Sequence, residues 1–167
     1  LTLLAVPTFQ SIGAARGVTE AGAAVSAAFD LARAEAVAHD TYAWVVLHPT
    51  ERDGTSALEI AVVRSRDGTP NSAADNQLPV TRLQIIERVG LAESGVTDAE
   101  EVAEINSGIQ FSIGGKTLQN PPAVLITPDG EASADPVFAT TDGFTPVIAT
   151  AIRQARGTTL LEGNALT

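Results

Sequence analysis

The sequence predicts an α+β protein, with one long N-terminal α-helix packed on an antiparallel β-sheet head. Three observations carry that expectation. An apolar stripe with helical spacing runs through the first part of the chain. Runs of β-formers, punctuated by Asp-Gly, Gly-Gly and Pro-Asp-Gly, fill most of the remaining chain. With 44% hydrophobic residues and a mean hydropathy of +0.15, the 167 residues can bury the core of one ordinary folded domain. The expected division is a helical segment over 1–40 and a β-rich globular head over 41–167.

The helix has a distinctive start. Leu1-Thr2-Leu3-Leu4-Ala5-Val6 is apolar but far short of the ~20 residues a membrane span needs. It reads as the tail of a span, and a chain opening on Leu1 reads as a processed or truncated piece. Pro7 sits where a helix bends or restarts, because proline lacks the N–H and clashes with the preceding turn. Beyond it Val18, Gly22, Val25, Phe29, Ala32 and Ala36 recur at spacings of three and four, a stripe along one face. Val18, Val25, Phe29, Ala32 and Ala36 are the expected helix-to-head contacts. Arg16, Glu20, Asp30 and Arg33 mark the opposite face, with Glu35 nearer the stripe's edge. The helix should stop near His39-Asp40.

Strands are expected thereafter. Tyr42 to Leu47 is dense in β-formers and is closed by His48-Pro49. Asp53-Gly54 signals a hairpin turn to a partner strand over Leu58 to Val63. Arg66 to Leu78, with Asp-Gly, Pro and Asn, reads as an exposed loop, and Val80 to Val89 as a strand. Thr97 and Glu100 can form a capping box opening a short helix over 97–104. Ile109 to Ile113 and Ala123 to Thr127 read as strands, with turns at Gly114-Gly115-Lys116 and Pro128-Asp129-Gly130. The segment 146–154 fits two descriptions. Thr145-Pro146, the apolar positions to Ala155 and then Gly157 suit a helix, which local signals favour; the same residues also suit a strand.

Composition limits the chemistry. A formal net charge of −10 disfavours nucleic-acid backbones and anionic membrane surfaces as partners. Cysteine is absent, so there is no disulfide framework and no thiolate metal site. His39 and His48, the two histidines, flank one strand and stand most of its length apart, which suits surface or capping roles better than a shared metal. The loop residues Asp67, Asn71, Asp75 and Asn76 offer oxygen ligands of the kind Ca²⁺ takes. Their spacing matches no EF-hand, and a solvated loop is the simpler reading. Asp98, Glu100, Glu101 and Glu104 form an acidic helix start. Tyr42 and Trp44 share one strand face and suit core packing. No G-x-S-x-G elbow occurs, and no constellation points to an enzyme. No cofactor is expected.

Several motifs together resemble a known superfamily. The apolar run ending Ala5-Val6-Pro7-Thr8-Phe9, the helix ending in Leu31-Ala32-Arg33-Ala34-Glu35-Ala36-Val37 and the strand that comes at once after it are similar to the type IV pilin-like proteins. The likeness is closest to minor pseudopilins of type II secretion and to minor pilins. Ile126-Thr127-Pro128-Asp129-Gly130 is similar to a turn between two late strands of that group. Ala155-Arg156-Gly157-Thr158-Thr159 is similar to its C-terminal hairpin, in which case 147–153 is a strand.

The resemblance implies a structural subunit held in the inner membrane by its apolar helix, with a periplasmic head, which then joins a filament whose core is a bundle of such helices. Leu1, Leu3, Leu4, Val6, Pro7 and Phe9 would belong to that membrane and filament segment. Other pilin or pseudopilin subunits would be the partners. Arg153 and Arg156 resemble the Arg-bearing tail with which certain minor pilins bind DNA, yet two arginines on so acidic a chain make nucleic acid an unexpected partner. The rival expectation is a soluble extracellular or periplasmic binding module, for calcium or glycan, whose helix merely caps its sheet.

Overall fold

The computed structural model describes residues 6–92, 109–133 and 151–161. Helix α1 runs Val6–His39 and is 34 residues long, about 51 Å at 1.5 Å per residue. It ends in a Schellman arrangement. The Thr41 N–H donates to the Ala36 carbonyl at 3.0 Å and the Asp40 N–H to that of Val37. Asp40 takes the left-handed position this cap requires, at φ 49°. The stop is where the sequence placed it. Val6, Pro7 and Phe9 fall within the helical segment, whereas Leu1, Leu3 and Leu4 lie outside the described residues.

Strands β1 (Ala43–Arg52) and β2 (Thr55–Ser65) form the central hairpin, paired antiparallel from Ala43 with Arg64 to Arg52 with Thr55. Asp53 and Gly54, at φ 50° and 71°, turn the chain in two residues. This is the handedness that matches strand twist in tight hairpins. The expected end of β1 at His48-Pro49 is corrected: the strand continues through both. The Leu47 N–H donates sideways to the Pro122 carbonyl at 2.8 Å. Alternation turns the nitrogen of Pro49 to that same edge, past the last residue paired there, so no ladder bond is lost.

The expected strand over Val80 to Val89 is corrected: only β4 (Gln84–Glu87) and the start of the next strand at Val89 are extended there, while the end of the expected loop forms β3 (Gln77–Pro79), on the same edge of β2 as β4. Between them the Val80 and Thr81 N–H groups both reach the Val62 carbonyl, and the Val62 N–H donates to Thr81 Oγ1 at 2.9 Å, pinching the chain off the ladder. Arg88, at φ 65°, then redirects it into β5 (Val89–Ala92). β6 (Gln110–Ile113) and β7 (Lys116–Gln119) pair only with each other among the described residues, joined by Gly114-Gly115 at φ 60° and 82°. Lys116 therefore opens a strand rather than lying in the turn. β8 (Ala123–Ile126) joins the other edge of β1 and is succeeded by β9 (Ala132–Ser133).

β10 (Ala151–Arg156) is a strand, correcting the local preference for a helix over its described part. It pairs with β5 and turns at Gly157 into β11 (Thr159–Leu160). The helix expected over 97–104 and the acidic residues within it lie outside the described residues.

The architecture has three layers. A large sheet, ordered β3-β2-β1-β8-β9 with β4 paired to the same edge of β2 as β3, has α1 on its inner face and the β6–β7 hairpin on its outer face. Ala43, Val45, Leu47, Leu58, Ile60 and Val62 point to the helix; Trp44, Val46, Ala61 and Val63 point to the hairpin. Both faces of β1 and β2 are thus buried, which is why they read as near-continuous apolar runs. The smaller β11-β10-β5 sheet extends the surface under α1 and is tied to the central hairpin. The Ser56 N–H donates to the Gly157 carbonyl, the Arg88 N–H to that of Ser56, and the Ala155 N–H to that of Arg88.

Candidate functional site

The helix-to-head seam contains every residue the sequence assigned to it. Val18, Ala32 and Ala36 are buried, and Val25 and Phe29 are half-buried against the same cluster. The centre of the stripe is alanine, however: Ala21 and Ala28 are buried, while Gly22, expected on the stripe, stands at its margin. Methyl side chains bring the helix axis close to the sheet. Gly17 takes this furthest, since a Cβ there would lie 3.2 Å from the Glu87 carbonyl oxygen. At the other end Arg33 Nε donates to the Gly130 carbonyl at 3.0 Å, and Arg64 Nε lies 3.8 Å from Glu35 Oε2. Gly130, at φ 85°, lets the β8–β9 turn lie against the side chains of Arg33 and Val37. Arg16, Glu20, Asp30 and Arg33 are exposed, as the amphipathic pattern requires. No described helix is long and apolar enough to cross a membrane.

A second cluster lies on the outer face and was not singled out from the sequence. Glu59 interrupts the apolar run of β2 and faces His48 directly across the ladder. It is only 3% exposed. Lys116, the chain's one lysine, reaches from the start of β7 and donates to both carboxylate oxygens at 2.6 Å; His48 Nδ1 lies 2.8 Å from Oε2. Burial raises the Glu59 pKa, but hydrogen bonds and charge from Lys116 and His48 outweigh it and hold the carboxyl below its ordinary value. Glu59 is thus an ionised, fully engaged carboxylate, suited to fastening two layers rather than to exchanging a proton with substrate. Its one legible signal was a lone acid inside Leu58-Glu59-Ile60-Ala61-Val62-Val63.

The acidic loop is organised by its own side chains. Asn76, expected to be exposed, is buried: its Oδ1 accepts from the Arg66 and Asp67 N–H groups at 2.9 and 2.8 Å, and its Nδ2 donates to the Asn71 carbonyl at 2.7 Å. Asp67 Oδ1 accepts from the Thr69 hydroxyl and N–H and from the Ser65 hydroxyl. These bonds, those of Thr69 foremost, lower the Asp67 pKa. Asn71 Oδ1 accepts from the Ala73 N–H, and Asp75 is exposed on the 3-10 turn Ala74–Asn76. Among the described residues no group of three or more His, Asp or Glu stands where a metal ion could be held.

The remaining candidates are dispersed. His39 caps the end of α1, its Nδ1 being 3.1 Å from the Glu35 carbonyl oxygen. His48, expected in a surface or capping role, instead pairs with Glu59. Trp44 is fully buried with its ring centroid 6.2 Å from that of Phe111, edge to face, and Tyr42 packs on the same cluster. Arg153 is half-buried and Arg156 exposed, both on β10. No protein-family model, curated protein or solved structure matches the chain.

Proposed function

We propose that this chain is a non-enzymatic structural subunit that assembles through its N-terminal helix into a pilus-like filament, as a minor pseudopilin or minor pilin. The observation that carries this reading is the 34-residue helix α1 packed along an antiparallel sheet. Its seam includes Gly17, Val18, Ala21, Ala28, Ala32 and Ala36, mostly small residues that let a β-rich head sit close against one helix. In a filament the N-terminal part of such a helix supplies the inter-subunit core, with Val6, Pro7 and Phe9 and the preceding Leu1, Leu3 and Leu4 in the membrane before assembly and in the helix bundle after it. Partners are then other subunits of the same kind, and the head is periplasmic before assembly and extracellular on a filament. The reading calls for no cofactor and no nucleic acid.

Mass spectrometry of the N-terminal peptide of the native protein tests this. The expected result is a methylated Phe, then an apolar stretch containing Glu that runs into Leu1. A native N-terminus close to Leu1, or one left by an ordinary cleaved secretion signal, would overturn the proposal in favour of a soluble binding module.

A further inference from the structure

The outer layer is attached to the large sheet without a shared ladder among the described strands. β1, β2, β3, β4, β8 and β9 belong to one sheet, but β6 and β7 share a ladder with no other described strand. The Asn120 N–H donates to the Ile109 carbonyl at 3.0 Å and closes the base of the hairpin as a self-contained unit. Asn120 itself, at φ 47°, makes the corner into Pro121-Pro122 and β8.

Side chains fasten this unit to the sheet. Near β3, Gln77 Nε2 donates to the Gln110 carbonyl at 2.7 Å, and Gln77 Oε1 accepts from the Ser112 N–H at 3.2 Å. Beyond the turn, Lys116 grips Glu59 through both oxygens. Between these points Phe111, Ile113 and Leu118 lie on Trp44, Val46, Ala61, Val63 and Leu125.

We propose that the β6–β7 hairpin is a latched lid, with Lys116 on Glu59 as its catch, which opens as a unit and uncovers the apolar sheet face around Trp44 while α1 and the large sheet stay folded. Opening breaks no backbone ladder between the hairpin and another described strand, so it disrupts fewer cooperative contacts than unfolding the sheet. A two-stranded hairpin released from its support is marginally stable in water, so its amides exchange once it lifts. The lid is independent of the filament reading, since it concerns the face opposite α1.

Native-state hydrogen exchange, with acrylamide quenching of Trp44 as a second readout, tests the lid in the whole chain. In the wild type, amides of 110–119 are expected to exchange at least about tenfold faster than those in the centre of β1 and β2. Ile60→Val, which weakens the helix-facing core, should speed exchange in β1 and β2 severalfold and leave the hairpin unchanged. Lys116→Met should speed hairpin exchange roughly tenfold and increase quenching of Trp44. Equal protection of hairpin and sheet in the wild type, or equal acceleration of both by Ile60→Val, overturns the lid. Unchanged hairpin exchange in Lys116→Met overturns Lys116 as its catch. Should Lys116→Met fail to fold, the wild type and Ile60→Val still decide whether the lid exists.

Discussion

Glu59 shows how a single charge can be accommodated inside a sheet. Its carboxylate gives up nearly all contact with water and receives Lys116 and His48 in return. Its pKa is lowered in the folded state, so the unfolded chain binds the proton more readily. The pair's contribution to stability is therefore fully present above the unfolded pKa and fades as pH falls through the lower, folded value. Urea midpoints taken from about pH 7 to about pH 3 should fall more steeply for the wild type than for Glu59→Gln, which lacks this titration. Asn76 fills a comparable place in the loop. Asn76→Ala would leave the Arg66 and Asp67 N–H groups without their acceptor and should cost about 2 kcal/mol in equilibrium unfolding. Neither role was legible from local sequence. Glu59 meets Lys116 across 57 residues, and an Asn in a Gly- and Pro-rich loop looks the same whether it faces water or folds inward.

At the scale of elements, α1 and the central hairpin were legible because each carries a strong local signal. The helix had its stripe and its stop at His39-Asp40; the hairpin had Asp53-Gly54 between apolar runs. The seam depends on small side chains, and this separates two alanine substitutions of identical chemistry. Ala32→Leu should lower stability by about 1–3 kcal/mol, because the buried methyl has no room to grow. Ala27→Leu on the exposed face should change it by less than about 0.5 kcal/mol, and thermal melts of the two variants would show the contrast. Elements whose form depends on distant partners were less legible. The break between β3 and β4 arises from Thr81 bonding to Val62, and β10 is extended because β5 offers it an edge. The apolar positions of 151–155 suit a helix equally well until that edge is present.

For the whole molecule, the α+β class was legible in the sequence, while the three-layer arrangement was not. Which face of β1 meets the helix was not legible locally, because Trp44 and Val46 on one face are as apolar as Val45 and Leu47 on the other. The same order along the chain bears on how the fold is reached. α1, β1 and β2 are consecutive, so residues 6–65 contain the helix, the longest ladder and much of the seam between them with little chain to close. β8 and β10 come to that platform across long intervals and incur a larger loop-closure cost. Folding should therefore nucleate on α1 and the β1–β2 hairpin, with the edges added later. Conservative substitutions such as Val45→Ala should slow refolding, giving φ-values above about 0.5, whereas Ile152→Val on β10 should mainly accelerate unfolding. A chain built this way completes its helix-bearing core before the outer parts of its head are in place.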